Sequence, residues 1–320
     1  MFPQRKDLTP TPASPQPTFK GLAILAVRRV NVVARNLPTP RNVVPSCRCG
    51  EHTCPPLATP KPPVMPTQAA PRFDVLYCGD TTLDTAASYL AGLLAHAGFS
   101  FHYVPSDKAV DEKIVSAPWS LLIVSDYPAP RFSKELQAAA AARIQNGAGL
   151  VMMGGWESFH GLGGDWDGTP LGDLLPVTIS NTDDRWNCDK PLIVKQRAGH
   201  PIVDALPFGN RPPLVGGLNK VTAKPADKVL LTAEQFQLSW EGDSPRLAPA
   251  ASYPLLVVGQ RGKGRVAAFT SDVAPHWVGP LVDWGDARVT AKAPGGNEIE
   301  VGDLYTEFFT RLVSWAAGRP

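Results

Sequence analysis

The stretch "GAGLVMMGGWESFHG" (residues 147–161) decides which fold the sequence predicts. Its apolar run, residues 150–153, has the length of a short buried strand, and it stops at Gly154-Gly155. Polar side chains follow the two glycines at once. A buried strand that ends at a glycine turn and then presents polar groups is typical of α/β folds, and it predicts a site beside that turn.

Three other apolar runs end in the same way, in short polar residues. The runs are "RFDVLYCGD" (72–80), "WSLLIVSD" (119–126) and "YPLLVVGQRGKGRVAAFTSD" (253–272). Segments with helical spacing of their apolar residues separate the first runs, at 81–98 and 133–147, and a further such segment, 303–318, closes the domain. Strands that alternate with helices predict an α/β fold whose parallel sheet is covered on both faces.

The carboxyl ends of parallel strands meet at one edge of a sheet, so we expect the polar residues after these runs to converge there. Those residues are Asp80, Asp126, Gly154, Gly155, Trp156, Glu157, Ser158 and Asp272, with His160 and His276 close behind. Each of the short polar residues also suits a helix cap or a turn, so a structural role for each alone stays an alternative.

The first 71 residues differ in composition from the rest. They hold 15 of the 34 prolines and 9 Lys and Arg against 2 Asp and Glu, whereas the remainder holds 22 Lys and Arg against 27 Asp and Glu. So much proline disrupts helices and strands, and few apolar residues are present to offset the entropy cost of ordering. We therefore predict a disordered, basic extension over residues 1–71 and one acidic α/β domain over residues 72–320.

The role of this extension is open between two alternatives. No acidic residue lies between Leu8 and Gly50, and arginines follow a short apolar run at 21–27, which fits an organelle transit peptide or a start codon placed too far upstream. The cluster "CRCGEHTC" (47–54) is too compact for the usual zinc finger.

No apolar run approaches the ~20 residues that span a bilayer, and we expect a cytoplasmic protein without a membrane partner.

Residues 161–250 are rich in proline, glycine and other turn formers, and they predict short strands and loops rather than a separate core. Within them, "TDDRWN" (182–187) sets Asp184 and Arg185 side by side. Downstream, "QRGKGR" (260–265) joins two apolar runs, and its glycines predict a hairpin turn rather than a basic binding loop.

Several stretches, taken in order, give the chain a resemblance to a known family. They are "GAGLVMMGGWESFHG" (147–161), "GTPLGDLLPV" (168–177), "DDR" (183–185), "HPIVDALP" (200–207), "PLLVVGQRGKGRVAAFTSD" (254–272) and "APHW" (274–277). In these stretches the chain resembles the class I glutamine amidotransferase-like superfamily, and more narrowly its branch of amidotransferase-like proteins of unassigned function. The resemblance implies a flavodoxin-like three-layer sandwich with a central, mostly parallel sheet.

In working members of that superfamily, the turn after the equivalent strand carries a cysteine. Its thiolate attacks the substrate, backbone N–H groups stabilise the oxyanion, and a later histidine takes the proton. Here Trp156 stands in the place of the cysteine, and an indole is not a nucleophile. The resemblance therefore implies the fold and the pocket without the glutaminase chemistry.

We accordingly predict an amidotransferase-like domain that binds a small molecule or a carbohydrate-like ligand, or that carries out a divergent reaction. The candidate catalytic residues are Glu157, His160, Asp272 and His276, and the candidate ligand-binding residues are Asp80, Asp126, Gly154, Gly155, Trp156, Ser158, Asp184 and Arg185. One alternative is an active hydrolase or amidotransferase that uses Ser158 or a cysteine. Another is a purely structural or interaction domain.

Other partners are constrained by charge and spacing. The acidic domain argues against nucleic acid. The spacing of the acidic residues and histidines matches no recognised metal signature, so we expect no metal and no other cofactor. A homo-oligomer stays open.

Overall fold

The computed structural model describes residues 73–319. The predicted extension over residues 1–71 and the cysteine cluster at 47–54 lie outside the described residues. The helices are α1 Ala87–His96, α2 Glu112–Ser116, α3 Lys134–Gln145, α4 Pro275–Val278 and α5 Asp303–Ala316. The first seven strands are β1 Val75–Gly79, β2 Phe101–Val104, β3 Leu121–Ser125, β4 Gly149–Met153, β5 Val177–Thr178, β6 Arg185–Gln196 and β7 Leu214–Asn219. The others are β8 Thr222–Ala223, β9 Lys228–Glu241, β10 Ser244–Arg261, β11 Gly264–Phe269, β12 Arg288–Lys292 and β13 Glu298–Gly302.

Nine strands form one central sheet in the order β2-β1-β3-β4-β11-β10-β9-β6-β7. The strands from β2 to β11 pair in parallel, and every pair from β11 to β7 is antiparallel. The fold is therefore mixed α/β, as the sequence predicts. The prediction of a mostly parallel sheet holds only for the half from β2 to β11. The antiparallel half comes mainly from residues 185–250, where the sequence indicates short strands and loops.

Apolar side chains cover both faces of the sheet. Alternate residues of β1, β3 and β4 point to opposite faces, as the period of a strand requires. One face packs against α1 and α5, and the other against α3 and the buried rings of Trp119, Phe132 and Trp166. The predicted cap of α3 is present, since Ser133 Oγ accepts from the Leu136 N–H at 3.3 Å.

The hairpin turn predicted at residues 260–265 is confirmed: Arg261 of β10 pairs with Gly264 of β11. At the other end of this hairpin, β11 stops at Phe269, opposite Leu256, whereas β10 reaches back to Ser244. The part of β10 that precedes Leu256 therefore extends past the carboxyl edge of the parallel strands, and the part of β9 that pairs with it does the same.

This projecting pair of strands, residues 236–250, is called the arm. Almost all of its residues are exposed. A β-bulge interrupts its pairing: Phe236 lies opposite Pro249 and Gln235 opposite Ala251, so Ala250 is the extra residue. Sequence analysis misses the arm because prolines and polar residues weaken its strand pattern.

Residues 73–319 contain no helix with the length and apolar character needed to cross a membrane.

Candidate functional site

Asp80 and Asp126 lie side by side at the ends of β1 and β3. The Asp80 N–H donates to the carbonyl oxygens of Ser125 at 3.2 Å and Asp126 at 3.1 Å. Both aspartates have positive φ, 37° and 49°, a left-handed conformation that is uncommon for residues other than glycine. Two strained aspartates on adjacent strands are a feature that clusters at functional sites.

The glycine turn after β4 holds the carboxylate of Asp126. A Cβ at Gly155 would lie 2.1 Å from Asp126 Oδ1, so only glycine leaves room for that carboxylate. The Glu157 N–H donates to Asp126 Oδ1 at 2.8 Å, and the Asp126 N–H donates to Ser158 Oγ at 2.9 Å. Gly154 is equally confined, since a Cβ there would lie 2.1 Å from the Thr270 carbonyl oxygen.

An open cavity of about 360 Å³ lies at this edge. It is lined by Asp80, Thr81, Ser106, Asp126, Trp156, Glu157 and Leu162. The structure thus brings together four of the residues that the sequence predicts for the site, from three different strand ends. The indole of Trp156 is about half exposed and forms part of the lining.

The carboxyl groups around the cavity have raised pKa values. Burial raises the pKa of Asp80 to about 7, and the charge of Asp126 adds to the rise. Burial likewise raises the pKa of Asp126 to about 6, against the hydrogen bond from the Glu157 N–H. The pKa of Glu157 is also raised by burial. At neutral pH Asp80 and, to a smaller extent, Asp126 therefore retain part of their protons.

Asp272 lies deeper, behind the cavity. Burial and the charges of Asp126 and Asp80 raise its pKa well above the usual range, and its Oδ1 accepts from the Ala274 N–H at 2.9 Å. His276 is mostly exposed on α4, with its Nδ1 3.8 Å from Asp272 Oδ2. Asp272 and His276 therefore lie behind the carboxyl groups of Asp80 and Asp126 and do not line the cavity.

Asn219, at the end of β7, ties the glycine turn to the neighbouring loop. Its Oδ1 accepts from the Gly155 N–H at 2.9 Å, and its Nδ2 donates to Asp184 Oδ1 at 2.8 Å. Sequence reasoning missed this residue, although it too is a polar residue at a strand end. Asp184 also accepts from the N–H groups of His160 and Gly161 at 3.2 and 3.0 Å. These hydrogen bonds hold the loop that follows the glycine turn in place.

The remaining predicted residues surround the site rather than form it. His160 Nδ1 and Asp167 Oδ1 are 2.7 Å apart, and His160 does not line the cavity. The Arg185 guanidinium lies 4.6 Å from the centre of the Trp156 ring, while two of its nitrogens donate to Asp183 at 2.9 and 2.7 Å. Arg185 therefore packs over one face of the indole.

Neither cysteine in the described part of the chain is an activated nucleophile. Cys78 is fully buried, and burial raises the pKa of its thiol far above the usual range. Burial raises the pKa of the Cys188 thiol to about 11. A reactive cysteine has a lowered pKa instead. Ser158 is fully buried as well.

Over residues 73–319, no group of three or more His, Cys, Asp and Glu side chains has an arrangement that could hold a metal ion. The carboxyl groups that meet at the cavity come from one residue at each strand end, and none of them has a histidine or thiolate beside it in the lining.

A comparison with solved structures found proteins of similar fold. The cytoplasmic protein STM3548 from Salmonella typhimurium is similar in structure, with a TM-score of 0.57 and 20% identity over 76% of this chain and 98% of that one. The cytoplasmic protein STM1381 from Salmonella typhimurium LT2 has a TM-score of 0.57 and 21% identity over 76% and 99% of the two chains. At such identity the likeness shows the fold alone.

A comparison with curated proteins found no match. The family model described as "Putative glutamine amidotransferase" matches residues 72–290, which is more than half of the chain. The match includes the glycine turn, the carboxyl edge and the cavity described above. The chain belongs to this glutamine amidotransferase-like family.

Proposed function

We propose that this domain binds a small polyhydroxylated, carbohydrate-like molecule in the cavity at the carboxyl edge, and that it has no glutaminase activity. The observation that carries the proposal is the half-exposed Trp156 indole in a lining that also contains Asp80, Asp126 and Glu157. Within this proposal the fold is a flavodoxin-like sandwich extended by antiparallel strands, and the protein acts in the cytoplasm.

The lining offers both kinds of contact that a sugar requires. The face of an aromatic ring packs against the apolar C–H face of a pyranose, and polar groups around it fix the orientation. A protonated carboxyl donates one hydrogen bond, while an ionised one only accepts. With pKa values of about 7 and 6, Asp80 and Asp126 together supply donors and acceptors near neutral pH, as hydroxyl groups need.

Several observations speak against glutamine hydrolysis. The family resemblance implies that Trp156 stands where working relatives carry a thiol, and Cys78 and Cys188 have raised thiol pKa values. Ser158 is buried, and its Oγ already accepts from the Asp126 N–H. A nucleophile must instead be exposed to the substrate and paired with a base.

A second candidate function is general acid–base catalysis on the bound molecule. It is favoured by the raised pKa values of Asp80 and Asp126, because a carboxyl acts best as a proton donor when its pKa lies near the working pH. In this version Glu157 lines the cavity beside the two aspartates, Asp272 and His276 lie behind it, and His160 stays with Asp167.

Calorimetric titration of the full chain with a panel of mono- and disaccharides and polyols tests binding. We expect one class of sugar to bind, Trp156→Ala to weaken its binding at least tenfold, and Trp156→Phe to retain most of it. Asp80→Asn should weaken binding too, whereas the exposed Asp189→Asn should not. Absence of binding by every compound, or ammonia release from glutamine, would contradict the proposal.

A further inference from the structure

The arm, residues 236–250, has one apolar face. Side chains two residues apart on a strand share a face. Phe236, Leu238 and Trp240 of β9 therefore lie together, and they stand opposite Pro249, Leu247 and Pro245 of β10. The other face carries the pairs Gln237–Ala248, Ser239–Arg246 and Glu241–Ser244. The arm is amphipathic along its whole length.

This apolar face has no partner within residues 73–319. Leu238, Trp240 and Leu247 are 51%, 67% and 59% exposed. A two-stranded hairpin in water is marginal by itself and gains stability by packing a face against something else. Prolines at 245 and 249 also remove backbone donors from β10, and proline on an exposed strand guards against edge-to-edge pairing. The apolar face is the largest apolar surface that the arm leaves uncovered.

The described residues contain one other place with large exposed apolar side chains, namely the cavity. Trp156 is 47% exposed and Leu162 is 59% exposed, and both line the cavity at the carboxyl edge. The arm projects from the same edge, because β10 continues past the end of β11 there. The base of the arm is also near the site: the Tyr253 ring lies 4.9 Å from that of Trp186, the residue after Arg185.

A second copy could cover the arm in two ways, which differ in the side chains that they leave exposed. Leu238, Trp240 and Leu247 of the arm, with Trp156 and Leu162 at the cavity mouth, offer on the order of 550 Å² of apolar surface. A standard interface buries about 800 Å² per partner, of which roughly 450 Å² is apolar. An arm packed only against the partner's arm leaves Trp156 and Leu162 exposed, whereas an arm packed on the partner's cavity mouth covers all five side chains and reaches this apolar area.

We propose that the chain forms a two-fold homodimer in which the arm of each protomer lies over the cavity of its partner. Leu238, Trp240 and Leu247 then pack on the partner's Leu162 and on the edge of its Trp156 indole, which leaves a face of that ring to the ligand, and each site is completed by the other copy. The dimer itself stands independently of the ligand, but the statement that the arm closes a binding cavity rests on the proposed function.

Two-fold symmetry follows from where the two surfaces lie. A contact between unlike surfaces forms an open chain of molecules unless symmetry closes it. The arm and the cavity rise from one edge of the same sheet, so a two-fold axis at that edge can bring both arms onto both cavities at once. All the exposed apolar residues named here are then buried in a closed pair.

The first test measures the mass of the full chain in solution by light scattering, without ligand. We expect a dimer, and a shift of at least tenfold in its dissociation constant for Leu238→Glu with Trp240→Glu. The matched control, Gln237→Glu with Ser239→Glu, adds the same charge to the same strand on its polar face and should leave the dimer intact. A monomeric native chain, or equal loss of the dimer in both double variants, would overturn the proposal.

The second test locates the contact. A photoreactive benzoyl-phenylalanine in place of Trp240 is irradiated, and the covalent dimer is mapped by mass spectrometry. Attachment to the peptide around Trp156 and Leu162 of a second chain supports the proposal. Attachment to the arm of a second chain, or no covalent dimer, overturns it.

Failure of this inference differs from failure of the proposed function. A dimer cross-linked at the cavity mouth that binds no sugar or polyol leaves the interface in place and removes the proposed ligand. A monomer that still binds a sugar removes the proposed interface and leaves the proposed ligand in place.

Discussion

The carboxylate of Asp126 fills the space beside Gly155, where a Cβ would lie 2.1 Å from Oδ1. The same carboxylate accepts the Glu157 N–H, so a single residue fixes both the backbone of the turn and one wall of the cavity. The resemblance implies a nucleophile at this glycine turn, but the turn instead holds the carboxyl group of Asp126 in place.

Gly155→Ala should displace this acid. We expect the added methyl group to cost about 1–3 kcal/mol of unfolding free energy, as overpacking of a filled site does, and to weaken ligand binding. Gly209→Ala is the control, because a Cβ at Gly209 meets nothing within 4 Å. Chemical denaturation measures both variants. Equal stability of the two would show that the turn yields easily.

The stability of the domain should decrease as the pH rises through the range set by Asp80 and Asp126. Their folded-state pKa values of about 7 and 6 lie above the ordinary aspartate pKa of 3.8, so the folded state binds more protons between about pH 4 and 7. Under linkage, the free energy of unfolding falls with rising pH wherever the folded state holds the extra protons.

Asp80→Asn should remove part of that dependence. We expect the variant to be more stable than the native chain at pH 8, by about 2 kcal/mol, because a neutral amide replaces a buried charge. At pH 4 the two should be nearly equal. Denaturation curves at several pH values check this. A native chain whose stability rises from pH 5 to 8, or an Asp80→Asn variant whose stability follows the same pH dependence as that of the native chain, would contradict it.

Asn219→Ala should loosen the loop that carries Trp156. The change leaves the Gly155 N–H without its acceptor and removes one donor from the buried Asp184, and we expect a cost of about 2–3 kcal/mol. Asn181→Ala, at an exposed position, should cost less than 0.5 kcal/mol. Thermal unfolding compares them, and a neutral Asn219→Ala would mean that other contacts hold the turn.

A glutamine-mimicking electrophile should form no covalent adduct with residues 73–319 of the folded native chain. The thiols of Cys78 and Cys188 have raised pKa values, and Ser158 is buried. Trp156→Cys places an exposed thiol at the turn and should react, which controls for the reagent. Peptide mapping reads the result, and an adduct on any native side chain of the cavity would overturn the absence of glutaminase chemistry.

The strand ends could be predicted from the sequence because burial on both faces makes a parallel strand continuously apolar, so its last residue is visible. Asp80, Asp126 and Glu157 were found in this way, and they do meet at one cavity. The pairing of His160 with Asp167 could not be predicted, since it depends on how a glycine-rich loop folds back.

The arm and Asn219 were missed for a different reason. Antiparallel strands with one exposed face contain polar residues, and β10 also contains prolines, so residues 161–250 lack the apolar runs that mark β1, β3 and β4. Without β7 and β9 as predicted strands, a polar residue at the end of β7 carried no signal.

The bulge at Ala250 has a consequence for how this molecule can change. Pro249 and Ala251 lie opposite two consecutive residues, Phe236 and Gln235, so loss of the extra residue would leave a regular ladder with Leu247 still opposite Leu238. A bulge bends its strand and increases the local twist, so the same loss would straighten the outer hairpin. The direction in which the hairpin points is therefore set by one residue, and a deletion of three nucleotides would redirect it without changing the surface that it presents.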